Sequence, residues 1–386
     1  MRSIALGVCI ALLGSAASAA TPRPAPCDRL STFQDPGRHG PPVAADFRVE
    51  GALDGALDPA TAARLRAVFD RGLAASPGVS SITVAVAIPG RGVWTARQRA
   101  PDDPPDALHW WASAGKMLTA ATILQLADEG KLALTDPVSR WVAGVPNGDL
   151  ITVEHLLDHT SGLYSANEDP EVHRLARRLS FEDRLAVIVR HGPLFCPGAH
   201  WRYSNTGYDL LGRIIERVDG RPYAQAVTAR IIAPLGLTHA RILTPDDAAP
   251  DLAPITPPGL DRRFDPTEAG PAGALAASAP DTIRILQALL GSQLLKPETT
   301  ARLLAEPFPM FDPGTFYGLG MMLYDIPDAP RNLYWIGHGG GAPGVGAQVA
   351  WSPHDGAFVA VAITGEGSPQ AFANALLKAL SPPGAA

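Results

Sequence analysis

Cysteine is scarce: the 386-residue chain has three, at positions 9, 27 and 196. So few thiols, with no histidines clustered beside them, exclude a disulfide framework and argue against a structural zinc site. Blocks of like charge are missing too, and 32 basic against 38 acidic residues leave a formal net charge of -6. Nothing therefore draws the chain electrostatically to nucleic acid or to an anionic membrane surface. It has no internal repeat and no low-complexity tract. Its first apolar run, "IALGVCIALL", is too short to span a bilayer.

That run reads better as part of an address. Arg2 gives a short basic start, the apolar run follows, and "ASA" at Ala17 to Ala19 offers a small-residue cleavage site. Residues 1–20 are thus expected to be a signal peptide and 21–50 a Pro-rich leader opening with "TPRPAPC". The mature protein is expected to be exported, periplasmic or secreted, with no stable membrane insertion after cleavage. Cleavage removes Cys9 and leaves Cys27 and Cys196, which either bridge the leader to the body or remain two thiols.

What the chain does contain is a core: 46% of its residues are hydrophobic, enough for one large domain or two closely packed ones. Pro and Gly, 38 each, punctuate it into short elements and long loops. "DPATAARLRAVFDRGLAA" reads as an amphipathic helix, and "SSITVAVAI", "PGRG" and "VWTARQRA" as a β-hairpin. A largely apolar helix is expected from Ala112 to about Gly130. Helices and loops then dominate to about residue 300, after which "YGLGMMLY", "NLYWIGH", "GAQVAWSP" and "AFVAVAITG" read as strands before a last helix. Strands at both ends predict one α/β body over about 51–135 and 300–386, with a helical part over about 136–299 and a cleft at their junction.

Three short constellations bear on chemistry. Ser113 and Lys116, in "WWASAGKML", stand at i and i+3, on one face of a helix and within mutual reach. A serine needs a neighbour to take its proton, and an amine can do so only when neutral, a state that apolar surroundings favour. By itself the pattern fits a capping serine better, because serine is a common N-cap. In "WRYSNTGYDLLG", Tyr203 and Asn205 are two apart before a helix, so both side chains point one way. A phenol can relay a proton and an amide can hold a carbonyl. The plainer reading makes Asn205 a cap. In "WIGHGGGAPGVG", strand alternation aims His338 and Gly340 at one face, and Gly340 lets a ligand backbone come close. A glycine-rich turn explains that stretch equally well.

Together the three resemble the Ser-x-x-Lys, Tyr-x-Asn and Lys/His-x-Gly set of the penicillin-recognising serine hydrolases. The branch is similar to class C β-lactamases, DD-peptidases and family VIII esterases. The likeness extends through "ITVEHLLDHTSGL", "IIAPLGLTHA" and "GHGGGAPG", over roughly residues 80 to 365. It implies a β-lactamase-like α/β fold, an antiparallel sheet flanked by helices with an inserted, mainly helical domain. It makes Ser113 the acylated nucleophile, Lys116 its proton acceptor, and Tyr203 the relay partner of that lysine. Asn205 would orient substrate, His338 and Gly340 would line the cleft, and the backbone N–H groups of Ser113 and Gly341 would form the oxyanion hole. Class C β-lactamases usually carry lysine where this chain has His338. Histidine is only partly charged near neutrality, which weakens the case for efficient β-lactam hydrolysis and keeps peptidase and esterase chemistry open. Ala274, in "PAGALAAS", replaces the second of two glycines often paired there.

Rival readings fail on order or completeness. "HGGGA" resembles a lipase oxyanion loop, but no Gly-x-Ser-x-Gly elbow follows it. Gly339 to Gly344 fits a dinucleotide fingerprint yet contains Pro343 and leads into a strand. His155 and His159 have helical zinc spacing without the glutamate or third ligand. No metal and no organic cofactor is implied. The expectation is an exported serine hydrolase acting on a small ester, β-lactam or D-amino-acid peptide, of undetermined oligomeric state. The alternative is a receptor of the same fold that binds or is acylated without turnover.

Overall fold

The computed structural model describes residues 49–172, 178–255, 265–312, 314–328 and 331–380. The expected signal segment, the leader up to residue 48, and with it the question of a Cys27–Cys196 bridge, lie outside them.

Eleven strands are described: β1 (Val79–Ile88), β2 (Gly92–Gln98), β3 (His109–Trp110), β4 (Ala240–Ile242), β5 (Leu275–Ala277), β6 (Phe308–Pro309), β7 (Thr315–Tyr317), β8 (Met322–Asp328), β9 (Arg331–Ala342), β10 (Val345–Ser352) and β11 (Ala357–Gly365). The described α-helices are α1 (Pro59–Ala74), α2 (Lys116–Asp128), α3 (Val153–Leu157), α4 (Phe181–His191), α5 (Asn205–Asp219), α6 (Tyr223–Val227), α7 (Ala279–Leu290), α8 (Pro297–Arg302) and α9 (Pro369–Lys378). The fold is β-lactamase-like: an antiparallel sheet flanked by helices. Eight strands run in the order β2-β1-β11-β10-β9-β8-β7-β6. The N-terminal hairpin thus joins the C-terminal meander through β1 and β11, with Val84 opposite Val361 and Val86 opposite Val359. Both strands are buried on both faces, which is why they read as continuous Val, Ile and Ala. A second sheet, β3-β5-β4, belongs to the body between the two ends of the chain.

Pro or a side-chain cap starts the described α-helices other than α2. Asp58 accepts from Thr61 N ahead of Pro59 at the start of α1, and Ser278 caps α7 through Asp281 N. Helix α1 packs with α9 against one face of the large sheet through Leu65, Phe69, Phe372 and Leu376. Helix α7 packs on the other face, and α2 packs against α5.

Two expectations shift. The stretch "YGLGMMLY" is two strands, because Gly320 at φ +72° and the Gly318 N–H to Met321 O bond turn the chain between β7 and β8. The helix expected from Ala112 opens as a tight 3-10 turn, Ala112–Gly115, and only Lys116 begins α2.

Candidate active site

The segment leaving β3 is tied to β5 before it reaches Ser113. Trp111 N donates to Leu275 O and the Trp111 indole to Ala277 O, each at 2.9 Å, while the Trp110 indole donates to Gly273 O at 2.6 Å. Ala112 then adopts φ +44°, a left-handed conformation that a side-chain-bearing residue takes at a cost of order 1–3 kcal/mol. This sharp turn presents Ser113 half-buried between the buried Ala112 and Ala114. Backbone neighbours press on it from two sides. A Cβ at Gly340 of β9 would stand 2.3 Å from Trp111 O and 3.0 Å from Ser113 N, and one at Gly273 would stand 2.7 Å from Ala112 O. Only glycine permits that approach. Ser113 is not a helix cap: α2 begins after Gly115, with no side-chain cap.

Lys116 is fully buried, 0% exposed. Its Nζ lies 3.2 Å from Ser113 Oγ and 2.6 Å from both Asn205 Oδ1 and Ala272 O. Burial lowers its pKa to about 7, with the Asp209 carboxylate pulling the other way. The neutral amine suits this cage. Asn205 Oδ1 and Ala272 O can only accept, so they take the two N–H groups of an –NH2, and its lone pair is left for the Ser113 hydroxyl.

Tyr203 and Asn205 approach Lys116 from one side. The Tyr203 ring lies 4.8 Å from Lys116 Nζ. Burial raises its phenol pKa, opposed by the nearby Ser113 hydroxyl, yet Tyr203 Oη makes no hydrogen bond of regular geometry with a described residue. Burial is the larger influence and keeps the phenol neutral. Asn205 does not cap α5; Ser204 does, accepting from Gly207 N. The Asn205 amide is held by Asn167, whose Oδ1 accepts from its Nδ2 at 2.9 Å, so Oδ1 faces the lysine.

His338 departs from its expected place. It shares a face of β9 with Gly340, but its ring is 0% exposed and does not line the cleft. Its Nε2 lies 3.1 Å from Tyr317 Oη and its Nδ1 2.5 Å from Gly339 O. Burial first, and then the Lys116 charge, depress its pKa to about 3, so it is a neutral imidazole at physiological pH. Gly341 follows Gly340 at the exposed end of β9, opposite Gly346 of β10.

Several contributors carry little sequence signal. Ala272 O acts through its backbone. Asp209, one helical turn after Asn205, is buried against Arg184 at 2.8 Å. His159 sits at φ +64° with its ring 4.2 Å from that of Tyr203, and its Nδ1 accepts from Ser204 N. His155, its partner in the zinc spacing, instead completes the capping box of α3 with Thr152. Phe311, 75% exposed, meets Trp201 edge-on at 5.5 Å and lies 5.9 Å from Tyr203.

A buried lysine beside a half-buried serine on a helix-leading turn defines a serine-hydrolase-like site. The Beta-lactamase family model matches residues 65–381, and the chain belongs to this family. It is 32% identical over 231 residues to "Putative penicillin-binding protein PbpX" of Bacillus subtilis, covering 57% of this chain and 54% of that protein. It is 30% identical over 293 residues to "Esterase EstB" of Burkholderia gladioli, covering 64% and 74% respectively. The chain therefore spans about half the length of the first of these relatives. Among solved structures, a D-stereospecific amidohydrolase from Streptomyces is similar at 29% identity and a TM-score of 0.68, over 83% of this chain and 99% of that one.

Proposed function

We propose that this chain is an exported serine hydrolase that forms an acyl-enzyme on Ser113 and cleaves small esters or D-amino-acid amides or peptides. The observation carrying this reading is Lys116: fully buried, 3.2 Å from Ser113 Oγ, with both of its N–H groups claimed by carbonyl-type oxygens. In the first step Ser113 Oγ attacks the substrate carbonyl carbon and its proton passes to the Lys116 lone pair. The developing oxyanion is received by the N–H groups of Ser113 and Gly341. The ammonium formed at Lys116 returns the proton through the Tyr203 phenol to the leaving oxygen or nitrogen as that bond breaks. Water then adds to the carbonyl carbon of the ester, its proton passing to Lys116 and on to Ser113 Oγ as the acyl–Oγ bond breaks, so the acid leaves and Ser113 is regenerated.

The neutral, enclosed His338 supplies no fixed cation for a substrate carboxylate, which favours esters and amides over β-lactams. The names of the esterase and amidohydrolase relatives point the same way. Export rests on the N-terminal pattern of Arg2, apolar run and "ASA".

Intact and peptide mass spectrometry after incubation with a fluorophosphonate tests the nucleophile, and the expected result is one adduct, on Ser113. No adduct there removes the mechanism. Turnover of p-nitrophenyl butyrate, D-phenylalanine amide and a chromogenic cephalosporin then ranks the substrates, with the cephalosporin expected last. Acylation without measurable release would make the protein a receptor instead.

A further inference from the structure

A histidine at position 159 is held there at a cost. Its backbone stands at φ +64°, a left-handed conformation that a residue with a Cβ keeps only where its surroundings impose it. Its side chain is buried, and Nε2 has no hydrogen-bond partner among the described residues. Neither feature stabilises the fold. Such features, retained beside a candidate active site, point to a task.

His159 grips three consecutive residues, each through a different group. Arg202 N donates to its backbone carbonyl at 3.0 Å, Ser204 N donates to its Nδ1 at 3.2 Å, and its ring lies 4.2 Å from that of Tyr203. The two bonds fix the backbone on either side of Tyr203, and the ring limits the rotamers open to the tyrosine between them. No other described ring stands so near Tyr203: Phe311 is at 5.9 Å, Tyr317 at 6.0 Å and Trp201 at 6.3 Å. With Tyr203 Oη outside any hydrogen bond of regular geometry, such ring contacts place the phenol. The tautomer of His159 follows from the same grip. Nδ1 accepts from Ser204 N, so it carries no proton, and the neutral ring has its proton on Nε2. Burial first, and then the Lys116 charge, push the His159 pKa well below its ordinary value, in keeping with that neutral ring.

We propose that His159 is a positioning residue, holding Tyr203 where its phenol passes the proton from Lys116 to the leaving atom. This rests on the reading of Tyr203 as the relay.

The leaving group provides the test. p-Nitrophenolate departs without a proton, whereas ethoxide must receive one as its bond breaks, so a displaced relay slows ethyl butyrate and spares p-nitrophenyl butyrate. A merely structural role would slow both esters alike. Tyr203→Phe sets the reference, with kcat/KM expected to fall by about 10²-fold or more for the ethyl ester alone. His159→Ala should lower kcat/KM by about 10²-fold for ethyl butyrate and by less than about threefold for p-nitrophenyl butyrate. His159→Asn covers the case in which the alanine variant does not fold. Asparagine tolerates the left-handed backbone and sets an acceptor where Nδ1 stood, so the Ser204 bond is retained and the ring is lost. It should show the same selectivity at about tenfold. No loss in His159→Asn, or equal losses on the two esters, with Tyr203→Phe selective, would overturn the positioning role. A Tyr203→Phe variant that slows both esters alike, with Ser113 still labelled by a fluorophosphonate, would instead remove the relay reading and this inference with it.

Discussion

The two faces of the large sheet are built differently. Towards α1 and α9 the strands present Ile82, Val84, Val86, Val359, Val361 and Ile363, meeting Leu65, Phe69, Phe372 and Leu376 in an apolar layer. On the opposite face β1 and β11, which supply those six residues, carry Ala85, Ala87, Ala360 and Ala362. The body on that side also encloses Lys116, His159, His338 and Asp209. The first layer stabilises by removing large apolar side chains from water, about 1.5–3 kcal/mol for each one fully buried. The other side gives up some of that gain, because taking ionisable groups out of water costs free energy. The difference separates the part of the chain that holds the fold from the part that houses the candidate site, and substitutions should separate them too.

The largest effect is expected at Lys116→Ala. Losing the proton acceptor should lower the acylation rate of Ser113 by about 10²–10⁴-fold, with the far-UV circular dichroism retained. Stopped-flow labelling with an activated ester measures it, and near wild-type labelling would take Lys116 out of the base role. Phe69→Ala is the mirror experiment. Phe69 is buried and meets Trp94 edge-on at 6.3 Å, so its truncation should cost about 3–5 kcal/mol in urea unfolding while leaving kcat/KM of the folded protein near that of wild type. A matching loss of kcat/KM under native conditions would erase the distinction between the faces.

A smaller effect is expected where the sheet touches Ser113. In Gly340→Ala the new methyl group meets Trp111 O, and backbone rather than a flexible side chain must give way. The resulting displacement of Ser113 should lower kcat by roughly 10²-fold. Steady-state kinetics on one ester, with kcat and KM resolved, checks this. A change confined to KM would mean that Gly340 acts on substrate rather than on the turn.

Strands β1, β10 and β11 were legible because a strand buried on both faces declares itself as a continuous apolar run. Ser113, Lys116, Tyr203 and Asn205 were legible as a candidate site because these side chains stand at short spacings, and the structure brings Lys116 against Ser113, Asn205 and the Tyr203 ring. What stayed hidden was supplied by backbone or by distant folding. Ala272 O gives no residue-type signal, and the left-handed Ala112 looks like any alanine. His338 shows the limit of spacing: alternation placed it on the face of Gly340, but whether that position opens to the cleft depended on Tyr317, 21 residues upstream. The capping reading of Ser113 failed for a similar reason. The indoles of Trp110 and Trp111 bind Gly273 O and Ala277 O, holding the chain in a turn before the helix, which a local pattern cannot register.

The subtlest test concerns the charge behind the lysine. With Lys116 at about 7, kcat/KM for acylation should rise with pH through that value, because the unprotonated amine is the active form. Asp209 opposes the lowering, so Asp209→Asn should move this limb to lower pH, and the variant should retain a larger fraction of its plateau rate at pH 6 than wild type does. The asparagine can still accept from Arg184, whose other nitrogen stays on Glu268 O, so the local scaffold is preserved. Stability carries the same signature. Lys116 titrates near 7 when folded and at an ordinary 10.5 when unfolded, so between those values the unfolded chain binds more protons and stability climbs with pH. Below about 7 the cost of burying the ammonium is fully present. If the limb in Asp209→Asn stays put or moves to higher pH, the group titrating near 7 is not Lys116.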